Sequence, residues 1–304
     1  MRLPLLALLL PLLIPPAHAA QPEAQEVVLQ FEPQPGDKLR QSMEMKMQMS
    51  MNMLPGPKTT DEQRAKLAEG AQKLGKGMSM AMKMAIRTEA SEADAKGDYL
   101  LHIRGEGGEI HMNLPGDEAK TLPNPMADLE IDALLHPNLA GVELLRVKSG
   151  QPALKDGKVL DGMAQGLVQQ AFGAMRELEG RHLKIGETAE IPFNLQMPMQ
   201  QLPANAKVNA TIAFTLKSVH KGVAHFDTTV KMDMTMNTQA QEAQQVHMNV
   251  RGAGTGTMDY RVADRLPMRK DMTIHMQMDT QLPGDVSMQM DTTMQMDMKG
   301  ERYK

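Results

Sequence analysis

The sequence predicts a mainly β protein with a few helices (α+β): one large curved antiparallel sheet or half-barrel of long alternating strands, covered by one amphipathic helix. Three observations carry that expectation. Methionine supplies 31 of 304 residues, and most of these recur at every second position, interleaved with polar residues. A strand turns such a pattern into one apolar and one polar face, whereas a helix would scatter it around its axis. Several alternating runs are separated by short connections containing Gly or Pro, as antiparallel hairpins require. One long segment, Leu160–Leu178, instead has helical spacing and a continuous apolar stripe.

Taken in order, residues Met1 to Ala20 read as a secretory signal. Arg2 supplies the charge, Leu3–Ile14 is largely apolar, and Ala17-His18-Ala19 places small residues before a cut ahead of Ala20. Pro11, Pro15 and Pro16 would break a buried helix, and the apolar run falls short of the ~20 residues of a membrane span. No Cys follows as a lipid acceptor and no later stretch is apolar enough to span. The expectation is a signal peptide over 1–19 and a single β-rich domain over 20–304, secreted across an inner membrane and soluble in a periplasm.

Val27–Phe31 reads as a strand leading to a turn at Pro35-Gly36. The next strand carries Met43, Met45, Met47, Met49, Met51 and Met53 on one face. Thr60–Leu74 is a short, mostly exposed helix, with acids after Thr60 and basic residues towards its end. Met78, Met80, Met82 and Met84 mark another strand. Tyr99–Arg104 and Glu109–Leu114 flank Gly105-Glu106-Gly107-Gly108, which reads as a hairpin. Pro125–Leu135 is expected as a weaker helix, ahead of the Leu160–Leu178 helix. Ala206–Val219 and Val223–Met236 join through His220-Lys221-Gly222, and Met268–Leu282 and Val286–Met298 through Pro283-Gly284-Asp285. The layout hints at two similar halves, about 25–150 and 180–304, joined by the 160–178 helix, although the intervening lengths do not match.

The run Gly252-Ala253-Gly254-Thr255-Gly256 looks like a phosphate loop. It keeps the parity of Met248 and Val250, however, and runs on to Met258 and Tyr260, whereas a nucleotide loop opens a helix. Gly252, Gly254 and Gly256 are therefore read as a packing notch on one strand.

A set of short motifs recurs in this order: Gly36-Asp37 before the long alternating strand, Gly141-Val142-Glu143-Leu144-Leu145-Arg146-Val147, the Leu160–Leu178 segment, Leu183-Lys184-Ile185-Gly186-Glu187-Thr188, and Gly252 to Asp259. Over most of the mature chain this resembles a family of uncharacterised bacterial exported proteins and lipoproteins, grouped as a domain of unknown function. The chain departs from that pattern in lacking the lipoprotein Cys and in having Ala189 where members often carry an aromatic. The resemblance implies the architecture and no reaction.

Composition excludes several classes. Net charge is −4 with both signs spread along the chain, so there is no basic stripe for nucleic acid. The lack of Cys removes thiol, disulfide and iron–sulfur chemistry. The histidines fall in no triad or metal spacing and no Gly-x-Ser-x-Gly elbow occurs, so no catalytic residue is assigned. The leading expectation is a non-enzymatic protein, without cofactor, that binds an apolar or lipid-like small molecule in a Met-lined concavity. Flexible thioether chains re-pack around variable shapes better than they specify one. The ligand-face candidates are Met43, Met45, Met47, Met49, Met78, Met80, Met82, Met232, Met234, Met276, Met278, Met288, Met290, Met294 and Met296. The alternative is Cu(I) or Ag(I) held by soft thioethers at Met45, Met47, Met276, Met278 and Met290. His111, His247 and His275 neighbour methionines, but adjacent strand residues point to opposite faces. A methionine-based oxidant sink is a further reading. Methionine standing in for Val, Leu and Ile as the core face of a sheet must in any case account for most of so large an apolar face. No feature of the sequence indicates a protein partner.

Overall fold

A computed structural model describes residues 25–57, 59–74, 77–116, 118–124, 127–150, 164–165, 168, 172–173, 175–193, 206–239, 245–282 and 286–303. The expected signal peptide and the segment 151–163, including the start of the expected Leu160–Leu178 helix, lie outside them. The chain runs β1 (Glu26–Val28), β2 (Lys38–Pro55), α1 (Asp61–Leu74), β3 (Met78–Ala90), β4 (Tyr99–Glu106), β5 (Glu109–Asn113), β6 (Lys120–Pro123), β7 (Glu130–Leu135) and β8 (Val142–Lys148). The described residues between 164 and 178 are helical. Then follow β9 (His182–Lys184), β10 (Thr188–Phe193), β11 (Ala206–His220), β12 (Val223–Gln239), β13 (Gln245–Arg261), β14 (Leu266–Leu282) and β15 (Val286–Arg302). No helix among the described residues is long and apolar enough to cross a membrane.

Alternation does produce strands, and every pairing is antiparallel. One 13-stranded sheet has the order β10-β11-β12-β13-β14-β15-β2-β3-β4-β7-β8, with β5 on β3 and β6 on β5; β1 and β9 form a separate ribbon. The sheet does not close into a barrel. Its seam is the pairing of the last strand with the first long one, from Val286 opposite Pro55 to Arg302 opposite Leu39. Strands of 17 residues such as β13, β14 and β15 extend about 58 Å at the usual rise.

Two expectations are corrected. Glu130–Leu135 is a strand, β7, and not part of a helix. Leu129, Ile131, Ala133 and Leu135 are all buried, at every second residue, so β pairing on both edges satisfies a pattern a helix would split. The Gly105–Gly108 segment is not a hairpin turn. β4 and β5 both pair with β3, β4 opposite Ala85–Ala90 and β5 opposite Ser79–Met82, and so run end to end. The glycines make a bulge that lets one long strand hug β3: a Cβ on Gly108 would strike the Lys83 carbonyl oxygen.

Buried core collects at one end of the long strands. There Val27 and Leu29 from β1 and the segment after it join Leu178, Leu183, Phe214, Leu216, Phe226, Met258 and Tyr260. Ala164 and Val168 pack on Leu129, Ile131 and Ala133, with Phe172 alongside. Phe172 and Met175 also pack against Ala90, Leu101, Leu135 and Leu139. The helix thus seats chiefly on β4, β7 and β8. The methionine-rich halves of β2, β3, β12, β14 and β15 run away from this core.

Candidate functional site

The register sorts the methionines into rows that cross the sheet. Met298, Met43 and Met84 form one row, with Phe226, Met258 and Lys270 on its other side. Next come Met272, Met296, Met45 and Met82, then Met294, Met47, Met80 and Met112. Further out lie Met232, Gly252, Met276, Thr292, Met49 and Met78, then Met234, Val250, Met278, Met290 and Met51. Met288 faces Met53 beyond these. Opposed residues in such rows have Cα atoms about 4.5–5.5 Å apart. Every ligand-face candidate is therefore on one continuous surface, and each is half-buried. Among the methionines described on this face, Met258 at 3% and Met272 at 4% exposure, both at the core end, are the buried ones.

The face meets the core at a cavity of about 380 Å³ between the helix and the sheet. Its walls are Leu39, Met43, Met84, Ile86, Leu101, Ile103, Leu129 and Ile131 on the sheet, the helical Val168, Phe172 and Met175, and also Phe31, Leu266 and Pro267. Gln41, Thr88 and Arg265 are the polar members of the lining. Of the ligand-face candidates, Met43 lines this cavity; the others continue the surface outwards from it.

The Leu29–Phe31 segment beside the cavity is held by hydrogen bonds. Tyr260 donates its hydroxyl to the Gln30 carbonyl at 2.5 Å and accepts from the Gln30 amide at 3.0 Å. Burial pushes the Tyr260 phenol up to about 12. Its ring packs on Phe31 with centroids 5.6 Å apart. The Phe31 amide donates to Glu179 Oε2 at 2.6 Å, and the Gly180 amide to the Leu29 carbonyl at 2.8 Å. The segment carrying Phe31 is thus clamped between β13 and the end of the helix.

Lys270 is the unexpected residue. It shares the parity of Met272, Ile274 and Met276, so its side chain stands on the methionine face, half-buried. Its Nζ lies 5.7 Å from the centroid of the Phe214 ring. No carboxylate among the described residues pairs with it, and burial alone lowers its pKa. Sequence reasoning missed it, although a lysine in phase with an apolar face is a readable signal.

The glycine notch has a cause inside the sheet. A Cβ on Gly254 would come within 2.7 Å of Ile274 Cγ1 and 2.8 Å of the Thr273 carbonyl oxygen. One on Gly256 would strike the Asp271 carbonyl oxygen, and one on Gly252 would approach Met276 Cγ at 3.1 Å. The intruding atoms belong mostly to the adjacent β14.

On the opposite, polar face runs an open furrow of about 800 Å³. Gln48, Ser79, Asn113, His275 and Thr293 line one side, and Ser50, Arg251, Gln277 and Asp291 the other. Its floor is the backbone of the Gly252–Met276–Thr292–Met49–Met78 row, whose side chains point the other way. His275 and His111 stand on this polar face, hydrogen-bonded to Thr293 at 3.1 Å and Thr121 at 3.0 Å. Three histidines meet aspartates: His102 with Asp132 at 2.7 Å, His136 with Asp98 at 2.9 Å and His225 with Asp259 at 2.7 Å. Burial pushes the Asp132 carboxyl up, but hydrogen bonds from His102 and Arg146 outweigh it and leave the group below its ordinary value. Among the described residues no three His, Asp or Glu side chains converge as a metal site.

No protein-family model matches the chain, and no curated protein matches it.

Proposed function

We propose that this is a non-enzymatic exported protein that binds an apolar, acyl-chain-like ligand between the described helical residues of the 164–178 segment and the methionine face. The observation that carries the reading is the cavity of about 380 Å³, whose lining is overwhelmingly apolar and opens onto a half-buried methionine surface. Ligand pockets are typically about 300–1,000 Å³, mostly apolar, with a few placed polar groups. The size suits a single chain, and the unbranched thioethers suit a ligand of variable shape.

In this reading the sheet is a half-barrel that curls towards its methionine face, with the helix as a partial cover. Two contacts support the curl. Lys270 on β14 reaches Phe214 on β11, three strands away, a separation of about 14 Å on a flat sheet. The Gly256 and Gly300 positions point at carbonyl oxygens of β14, as crowding on an inner surface would produce. Leaving this surface unoccupied is costly, since contiguous apolar patches on soluble proteins rarely exceed a few hundred Å².

The alternative, Cu(I) or Ag(I) binding, is favoured by one specific observation. The rows Met272–Met296–Met45–Met82 and Met294–Met47–Met80–Met112 place thioethers side by side across adjacent strands, and Met278 lies directly opposite Met290. Soft sulfur ligands at that density suit a monovalent soft cation. Native mass spectrometry of the gently purified protein separates the two. A co-purified or added acyl chain retained on the protein supports the first reading, and copper or silver increments support the second. A bare protein mass after incubation with palmitate and with hexadecanol would overturn the acyl-chain reading.

A further inference from the structure

We propose that Lys270 is the head-group residue of this binding face, and that the ligand it selects is a single acyl chain ending in a carboxylate. The inference rests on the acyl-chain reading above and goes beyond it by naming the chemistry of the ligand's polar end.

The argument starts from cost. A half-buried ammonium on an apolar face gives up hydration, and a protein normally compensates such a charge with a carboxylate. Elsewhere this chain pairs cations with carboxylates even at more exposed positions: Arg40 and Arg87 meet Glu106, Arg104 meets Glu130, and Arg302 meets Asp37. Lys270 has the Phe214 ring instead, and burial lowers its pKa with no opposing contribution from a neighbouring acid. A cation–π contact recovers only part of an ion pair's worth. The residues around it on the face, Met258 and Met298 in its row and Met272 two positions on, are apolar. An apolar side chain there would cost nothing, so the charge calls for a partner from outside the chain.

Position then identifies the partner. Lys270 is three residues along β14 from Pro267, and two strands across from Met43, both of which line the cavity. Either path is about 10 Å, the strand rise and strand spacing giving nearly the same distance. A chain lodged in the cavity and running over Met43 and Met298 therefore brings its end to Lys270. The Lys270 stem covers apolar surface while its tip stays mobile enough to leave the ring for an anion. A carboxylate is the simplest anion that a single acyl chain carries, and the cavity is sized for one chain rather than several.

The test compares palmitate with hexadecanol, which has the same chain length and no charge, by titration calorimetry on the full chain and on Lys270→Met and Lys270→Arg. The expected result is that the unmodified protein prefers palmitate by about tenfold or more, in keeping with a hydrogen bond to a charged group. Lys270→Met should bind both chains alike, at the hexadecanol affinity, and Lys270→Arg should keep the preference. Thermal melts check folding: Lys270→Met should melt higher than the parent when ligand-free, but gain no more from palmitate than from hexadecanol. Equal affinity for the two chains in the unmodified protein, or a preference that survives in Lys270→Met, overturns the Lys270 assignment and leaves the acyl-chain reading standing. Binding of neither chain overturns both.

Discussion

Alanine placed in turn at Gly252, Gly254 and Gly256 should give a graded loss of stability along one strand. At Gly252 the new methyl meets Met276 Cγ at 3.1 Å and Met232 Cε at 3.2 Å, both on flexible chains that can swing aside. At Gly254 it meets the branched Ile274 at Cγ1, 2.7 Å away, and the Thr273 carbonyl oxygen at 2.8 Å. At Gly256 the obstacles are all backbone: the Asp271 carbonyl oxygen and, at 2.8 Å, Met272 Cα. Only a displacement of β14 from β13 can relieve that contact. Alanine in place of a strand glycine gains about 0.5–1 kcal/mol through the unfolded chain. Overpacking costs about 1–3 kcal/mol and more where backbone must move. The balance puts Gly252→Ala within about 0.5 kcal/mol of the parent, Gly254→Ala down by about 1–2 kcal/mol, and Gly256→Ala down by about 3 kcal/mol. Urea unfolding followed by circular dichroism reads the series as a shift in midpoint at constant slope. Equal midpoints for Gly252→Ala and Gly256→Ala would refute the reasoning, because Gly256→Ala has the closer obstacle and requires backbone to yield.

Mild peroxide followed by peptide mapping should oxidise half-buried Met47, Met290 and Met294 while the fold persists, and leave Met258 and Met272 until unfolding; uniform protection of all five would show the methionine face to be covered. Lys270→Met should exceed the parent in stability at neutral pH, since a lowered lysine pKa means the folded state penalises the charge. That advantage should narrow as pH rises through the lowered Lys270 pKa and level off above the ordinary value of 10.5, as paired melts across that range will show; a gap that does not change with pH across this range would contradict the desolvation. Tyr260→Phe removes both bonds to Gln30 and should cost about 1–3 kcal/mol in urea unfolding. In the parent one tyrosine should resist alkaline ultraviolet titration until about pH 12, and its loss in Tyr260→Phe identifies it.

Period-two methionine determined the long strands of this protein and the sorting of their side chains onto two faces, because alternation is a property of the backbone and needs no neighbour. The connection at His220–Gly222 was legible for the same local reason, while Pro283–Asp285 lies outside the described residues, between the paired Leu282 and Val286. Where local pattern was ambiguous, pairing decided. The short run ending at Leu135 became a strand because β4 and β8 each offered it an edge, and Gly105–Gly108 became a bulge because β3 was long enough to hold both flanking segments. Strand order lay beyond the sequence altogether. The pairing of β15 with β2 joins segments more than two hundred residues apart, and no local signal names a partner at that distance. The same division holds for the site. Parity alone put the methionines and Lys270 on one face, but exposure depends on what lies above each row, and the described helical residues Ala164, Val168, Phe172 and Met175 came to rest on the core of β4, β7 and β8. The cavity at Met43 and the meeting of Lys270 with Phe214 arise from elements remote in the chain. Only the packed sheet brings them within reach, because the free energy that places them is burial shared among many strands rather than the preference of any one.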